Sequence, residues 1–189
     1  MSHSVVNILA ISGSLRADSF NTIILHTIAA SAPSNVHITI YSGIANFPFF
    51  SPELDNQNSN TAVNDLRKKI AEADGVLIST PEYAFGVPGV LKNALDWMVS
   101  SGELNEKPIF SISASPLNTG GEKALSSLLL TLVALGTIEA GRLSIPNIKN
   151  KVNADKKITD AETLSALKAA LEKLVTTIYD KRKQNSVRE

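Results

Sequence analysis

Five short apolar runs, each followed by a stretch with helical spacing, restrict this chain to very few folds. Val5-Val6-Asn7-Ile8-Leu9-Ala10-Ile11 is rich in β-branched residues and almost continuously apolar, the pattern of a strand covered on both faces. Similar runs recur at residues 37–41, 75–79, 108–114 and, more weakly, 137–145. Between them, Val63, Leu66, Ile70 and Ala73 share one helical face. So do Val87, Leu91, Ala94, Leu95 and Met98, and again Leu164, Leu167, Leu171, Leu174 and Ile178, as an amphipathic helix requires. Ile23, Ile24, Leu25 and Ile28 open another helix, and the uncharged stretch Ala124–Ile138 reads as a buried one. Strands alternating with helices, joined by connections long enough for crossovers, predict an α/β fold in one domain over residues 1–189. Its core is a doubly wound, five-stranded parallel sheet with helices on both faces, a three-layer α/β/α arrangement.

Composition then removes whole classes of chemistry. The chain has no cysteine, which excludes disulfides, thiolate metal sites, iron–sulfur clusters and a cysteine nucleophile. Redox work therefore requires a bound cofactor. Eighteen Lys and Arg balance eighteen Asp and Glu, a poor match to nucleic acid or an anionic membrane, both of which select for concentrated positive charge. The short basic run Lys181-Arg182-Lys183 reads as a solvated helix end. The Ala124–Ile138 stretch falls short of the roughly 20 residues that span a bilayer, and residues 1–7 lack the pattern of a secretory leader, so a cytoplasmic location is expected. His3, His26 and His37 are scattered without ligand spacing, so no metal is expected. No G-x-S-x-G elbow occurs for a serine hydrolase, and no histidine follows His37 to complete one.

In doubly wound sheets ligands bind beyond the carboxyl ends of the strands, where strand order reverses. Three loops fall there. The first, Ser12-Gly13-Ser14-Leu15-Arg16-Ala17-Asp18-Ser19-Phe20-Asn21, brings hydroxyls, an amide and an arginine to a helix N-terminus, whose free N–H groups and positive dipole end suit a phosphate monoester. It matches neither the G-x-G-x-x-G dinucleotide fingerprint nor the G-x-x-x-x-G-K-[ST] loop. Ser and Asn here also read as simple helix caps, with Arg16 solvated. The second loop, residues 79–89, is braced by Pro81 and Pro88, with Gly86 and Gly89 available for positive φ or close approach, and carries Glu82, Tyr83 and Phe85. The third, residues 113–121, combines Ser113, Ser115, Asn118 and a Gly120-Gly121 pair. The long irregular piece 42–60 carries Phe47, Phe49 and Phe50, either as part of the core or as cover for a cleft.

Gly13-Ser14-Leu15-Arg16, Ser19, Asn21, Pro81-Glu82-Tyr83 and Pro88-Gly89-Val90-Leu91-Lys92-Asn93-Ala94-Leu95-Asp96-Trp97 together resemble the NAD(P)H-dependent FMN reductases of flavodoxin-like fold, which include bacterial quinone and chromate reductases. The resemblance implies that Ser14, Arg16, Ser19 and Asn21 hold the FMN phosphate, that Pro81, Glu82 and Tyr83 border the isoalloxazine, and that Ser115 lies near its other edge. Two positions depart from the family pattern: Ala84 stands where Asn is common, and Pro116 follows Ser115 where glycine is common.

The activity implied is two-electron ping-pong transfer from NAD(P)H through FMN to a small acceptor: a flavin, quinone, azo compound or metal oxyanion. No side chain is required as acid or base. Backbone N–H groups near Glu82 and Tyr83, and the helix starting around Pro88, are expected to face the reduced ring. A homodimer or homotetramer is the expected assembly. A flavodoxin-type carrier serving a protein partner is the alternative, although such carriers are strongly acidic and this chain is neutral. A third reading is a non-enzymatic module that keeps the fold without the site.

Overall fold

The computed structural model describes residues 4–55 and 60–188. Its five strands are β1 (Val6–Ser12), β2 (Val36–Tyr41), β3 (Gly75–Thr80), β4 (Pro108–Ala114) and β5 (Ile138–Ile145). All neighbours run parallel in the order β2-β1-β3-β4-β5, the flavodoxin-like order with its reversal between β1 and β3. The expected strands and the observed ones agree to within a residue at each end. The helices are α1 (Phe20–Ala30), α2 (Thr61–Glu72), α3 (Gly89–Asp96), α4 (Glu122–Ala134) and α5 (Ala161–Arg188).

Alternation along the strands divides the apolar side chains between two cores. Val6, Ile8 and Ala10 face the layer of α1 and α5, where Ile24, Leu25, Ile28, Leu167, Leu171, Leu174 and Ile178 are buried. Leu9 and Ile11 face the opposite layer, with Val63, Leu66 and Ile70 of α2, Leu91, Ala94 and Leu95 of α3, and Leu128 and Leu132 of α4. The helical faces expected from spacing are therefore the packed ones. Leu164 is the exception at 38% exposed, on the first turn of α5.

Two expectations are corrected, and the alternatives left open for the 42–60 piece are narrowed. Helix α4 is buried on one side only: Leu130 and Val133, three residues apart, are each 74% exposed. The basic end of α5 is a tie to the rest of the molecule. Arg182 pairs with Asp74 at 2.6 Å and donates to Ser4 Oγ and the Val5 carbonyl, so it joins α5 to the first strand. The 42–60 piece contains two one-turn 3-10 helices, Gly43–Asn46 and Pro52–Leu54, and residues 56–59 lie outside the described set. Its course is fixed by α3: Asn93 accepts from the Phe50 N–H and donates to the Pro48 carbonyl, which the Trp97 indole N–H also reaches. Phe50 stands edge-on to the fully buried Trp97, Phe47 packs on the same core, and Phe49 is 90% exposed.

Helix α5 is preceded by Asp160, whose Oδ2 accepts from the Thr163 N–H, the Thr163 hydroxyl and Lys151 Nζ. The Thr163 hydroxyl and Lys151 hold its carboxyl down at about 2. A depressed carboxylate stabilises the fold fully above its ordinary value and ceases to do so as pH falls through its folded value. We therefore expect Asp160→Ala to lower the thermal midpoint near neutrality. The gap from wild type should close as pH falls from 3.8 towards about 2 in a series of melting curves.

Candidate functional site

The loops leaving β1, β3 and β4 meet at the carboxyl edge of the sheet. Ser14, Arg16, Ser19 and Asn21 from the first, Pro81, Glu82 and Tyr83 from the second, and Ser115 from the third all line one shallow open cleft of about 70 Å³, with Phe20, Ala114 and Pro116 completing it. Every residue singled out as a candidate cofactor contact therefore borders the same space.

The first loop is shaped by close approach. A Cβ on Gly13 would lie 2.9 Å from Leu91 Cδ2 and 3.0 Å from Thr80 Oγ1, and the Gly13 N–H continues the β1–β3 ladder by donating to the Ser79 carbonyl. Hydroxyls fix the remainder. Ser12 Oγ accepts from the Ser14 N–H and bonds Thr22 Oγ1, while Ser14 Oγ accepts from the Arg16 N–H. Ser19 occupies the N-cap of α1 without capping it through its side chain, and no acidic residue lies in the first turn. The helix thus presents to the cleft a positive end that no side chain caps. Arg16 is exposed, and among the described residues no ion pair holds it.

Asn21 is 3% exposed, and its amide is largely committed to protein. Oδ1 accepts from Ser79 Oγ at 2.8 Å and Nδ2 donates to the Ala114 carbonyl at 3.4 Å. One side chain on α1 thereby ties the ends of β3 and β4 together. Sequence alone marked Asn21 and left Ser79, wholly buried, outside the candidate contacts. The signal for their pairing is tertiary.

In the second loop, Tyr83 and Gly86 exchange both backbone hydrogen bonds across a two-residue turn. The left-handed residues are Ala84 at φ 49° and Phe85 at φ 61°, whereas Gly86 and Gly89 have ordinary negative φ. Gly86 and Gly89 were available for positive φ or close approach, and the positive φ is supplied by two residues with a Cβ. Each such residue costs about 1–2 kcal/mol, strain that persists only where the surroundings fix it. The turn also consumes the Tyr83 N–H, which was expected to face the cofactor. Tyr83 and Phe85 remain 50% and 78% exposed.

Glu82 supplies the fixing. Its Oε2 accepts from the Lys123 and Ala124 N–H groups at 2.9 and 3.0 Å. It thereby caps α4, whose own N-cap residue, Gly121 at φ 84°, has no side chain to do so. A Cβ on Gly121 would approach Ser113 Cβ at 3.2 Å and Glu82 Cβ at 3.5 Å, so the loops are nearly in contact. In the third loop Ser115 Oγ accepts from the Leu117 N–H and its own N–H donates to Ile145. Ser113 Oγ donates to the Gly120 carbonyl. His26 and His37 are exposed, and His3 lies outside the described residues. Among the described residues no cluster has the makings of a metal site, and no helix is long and apolar enough to cross a membrane.

Replacing Ala84, which does not line the cleft, by glycine relieves the first left-handed residue. We expect Ala84→Gly to stabilise the protein by about 1 kcal/mol, measured by chemical denaturation.

Comparison with known proteins agrees with this geometry. The family model for NADPH-dependent FMN reductase matches residues 6–150. The quinone reductase of Escherichia coli K12 is 31% identical over 172 residues, spanning 88% of this chain and 92% of that protein. The 2-hydroxy-1,4-benzoquinone reductase of a Burkholderia species is 31% identical over 182 residues, spanning 94% and 98%. Among solved structures, the flavoenzyme NAD(P)H:(acceptor) oxidoreductase of Paracoccus denitrificans superposes with a TM-score of 0.80 at 27% identity, covering 93% of this chain and 98% of that one. With strand order, cleft and sequence in accord, the chain belongs to the NADPH-dependent FMN reductase family, oxidoreductases with FMN as cofactor and NAD(P)H as electron donor.

Proposed function

We propose that the chain is an FMN-dependent NAD(P)H:quinone oxidoreductase in which donor and acceptor alternate at one open face of the cleft. FMN, when bound, supplies a ring that takes hydride from the nicotinamide and passes two electrons onward. The exchange balances as NAD(P)H, one proton and a quinone giving NAD(P)+ and a hydroquinone. The names of the Escherichia coli and Burkholderia relatives support a quinone-type acceptor, with free flavin, azo compounds and metal oxyanions as the comparison set.

The observation that carries the reading is the N-terminus of α1, uncapped by any side chain, with Arg16 exposed beside it and the Ser14 and Ser19 hydroxyls at the same cleft. That donor set fits a phosphate dianion. Ser14, Arg16 and Ser19 are assigned to the phosphate. Asn21 serves it through its place in the first turn and by holding the two strand ends together. Pro81, Glu82, Tyr83 and Ser115 form the walls beside the ring. Tyr83 presents half its surface to the opening, where a planar acceptor can stack. This assignment gives the chain no general acid or base. The reading sets the reaction in the cytoplasm, where the reduced nucleotide is available.

The working form is a homo-oligomer joined through α4. Leu130 and Val133 make an exposed apolar pair on a helix with no charge between Ala124 and Ala134, a face better matched to a second copy of itself than to water.

Three measurements test this reading. Arg16→Ala should weaken FMN binding about ten- to hundred-fold in a fluorescence titration, because the phosphate loses its charge-assisted partner. Unchanged affinity would remove Arg16 from the site. Leu130→Asp should shift the sedimenting species to monomer, whereas an unaltered sedimentation profile would place the interface elsewhere. A steady-state acceptor panel run with NADH and NADPH identifies the acceptor and the donor. If the FMN-loaded protein oxidises neither nucleotide, the enzymatic reading fails.

A further inference from the structure

Helix α4 has an N-terminus that its own sequence does not cap. Gly120 and Gly121, both left-handed, lead into it, and neither offers a side-chain acceptor. Glu82, forty-one residues upstream of Lys123, provides the acceptor across the cleft wall. A carboxylate on a helix N-terminus gains both hydrogen bonds and dipole attraction. Here the same contact joins the β3–α3 loop to the β4–α4 loop. It anchors the residue next to the strained Tyr83–Gly86 turn, and it does so with a residue that itself lines the cleft. The two helix N-termini at this end of the sheet are thus treated differently. That of α1 has no side-chain cap and no acid in its first turn, and that of α4 is capped by a carboxylate.

We propose that Glu82 is a positioning residue with a second, electrostatic role. Its carboxylate locks the two loops that wall the ring site, and its charge opposes the build-up of negative charge on the cofactor during reduction, which holds the reduction potential down. The inference rests on the FMN reading above. Two substitutions separate the roles. Glu82→Gln retains an oxygen able to accept from Lys123 and Ala124 but removes the charge. Glu82→Ala removes both.

The experiment has three readouts: amide hydrogen exchange in the apo-protein, FMN affinity, and the midpoint potential of the bound flavin. In wild type and Glu82→Gln the Lys123 and Ala124 amides should be protected, and in Glu82→Ala they should exchange at least ten-fold faster. FMN affinity should fall about ten-fold or more in Glu82→Ala and stay within about three-fold of wild type in Glu82→Gln, the scale of losing charge-assisted hydrogen bonds at the cleft wall. The midpoint potential should move upward in Glu82→Gln. Unchanged amide exchange or FMN affinity in Glu82→Ala overturns the clamp, as does a Glu82→Gln protein that behaves like Glu82→Ala. An unmoved potential in Glu82→Gln overturns the electrostatic role. Failure of wild type to bind FMN would sink the FMN reading instead, and the exchange data on the apo-protein would still report on the clamp.

Discussion

In an all-parallel sheet every strand delivers the chain to the same edge, and every crossover helix starts there. That single constraint decides where this molecule can work. With the order β2-β1-β3-β4-β5, the loops after β1 and β3 diverge to opposite layers and leave a gap between them. The gap is kept from spreading by one buried amide. Asn21 reaches from α1 to Ser79 at the end of β3 and to Ala114 at the end of β4. Because these groups lie out of water, loss of the amide would leave buried partners unpaired, a penalty of about 1–3 kcal/mol each. The cleft is thus held open at a fixed width by the same polar chemistry that the sequence suggests for ligand contact.

Around that frame the loops are stiff. Backbone pairing closes the Tyr83–Gly86 turn over two left-handed residues, and Glu82 secures its base to α4. On the other layer, Asn93 and Trp97 hold the backbone of residues 48–50 by hydrogen bonds, and Asp55 is bonded to Arg67. A preset cradle spends little conformational entropy when a planar ligand arrives. Tyr83, in its lining, and Phe85 beside it stay exposed.

The fold was legible because parallel strands covered on both faces read as continuous apolar runs, and helix spacing marked the core side of each crossover. Val63, Leu66 and Ile70 illustrate this, as do Leu91, Ala94 and Leu95. What spacing could not show was the exposed face of α4, since Leu130 and Val133 are as apolar as the buried Leu128 and Leu132. In the site, the hydroxyls and the arginine of the first loop were visible from composition at a strand-to-helix turn. The tasks of Asn21 and Glu82 were not, because their partners lie 58 and 41 residues away. One clue was available: α4 begins after two glycines without Ser, Thr, Asp or Asn at its N-cap, so a cap had to come from elsewhere. Asn93 and Trp97 belong to the motif that carries the resemblance without being assigned to the site, and in the structure they bond the backbone of the neighbouring loop.

A crystal structure of the protein soaked with FMN tests the central claim most directly. The account predicts the phosphate seated on the first turn of α1, within hydrogen-bond distance of Arg16 and the Ser14 or Ser19 hydroxyl, with the ring against Pro81–Tyr83 and one face towards solvent. Flavin held elsewhere on the surface, or with its phosphate turned to the α4 end that Glu82 occupies, would contradict it.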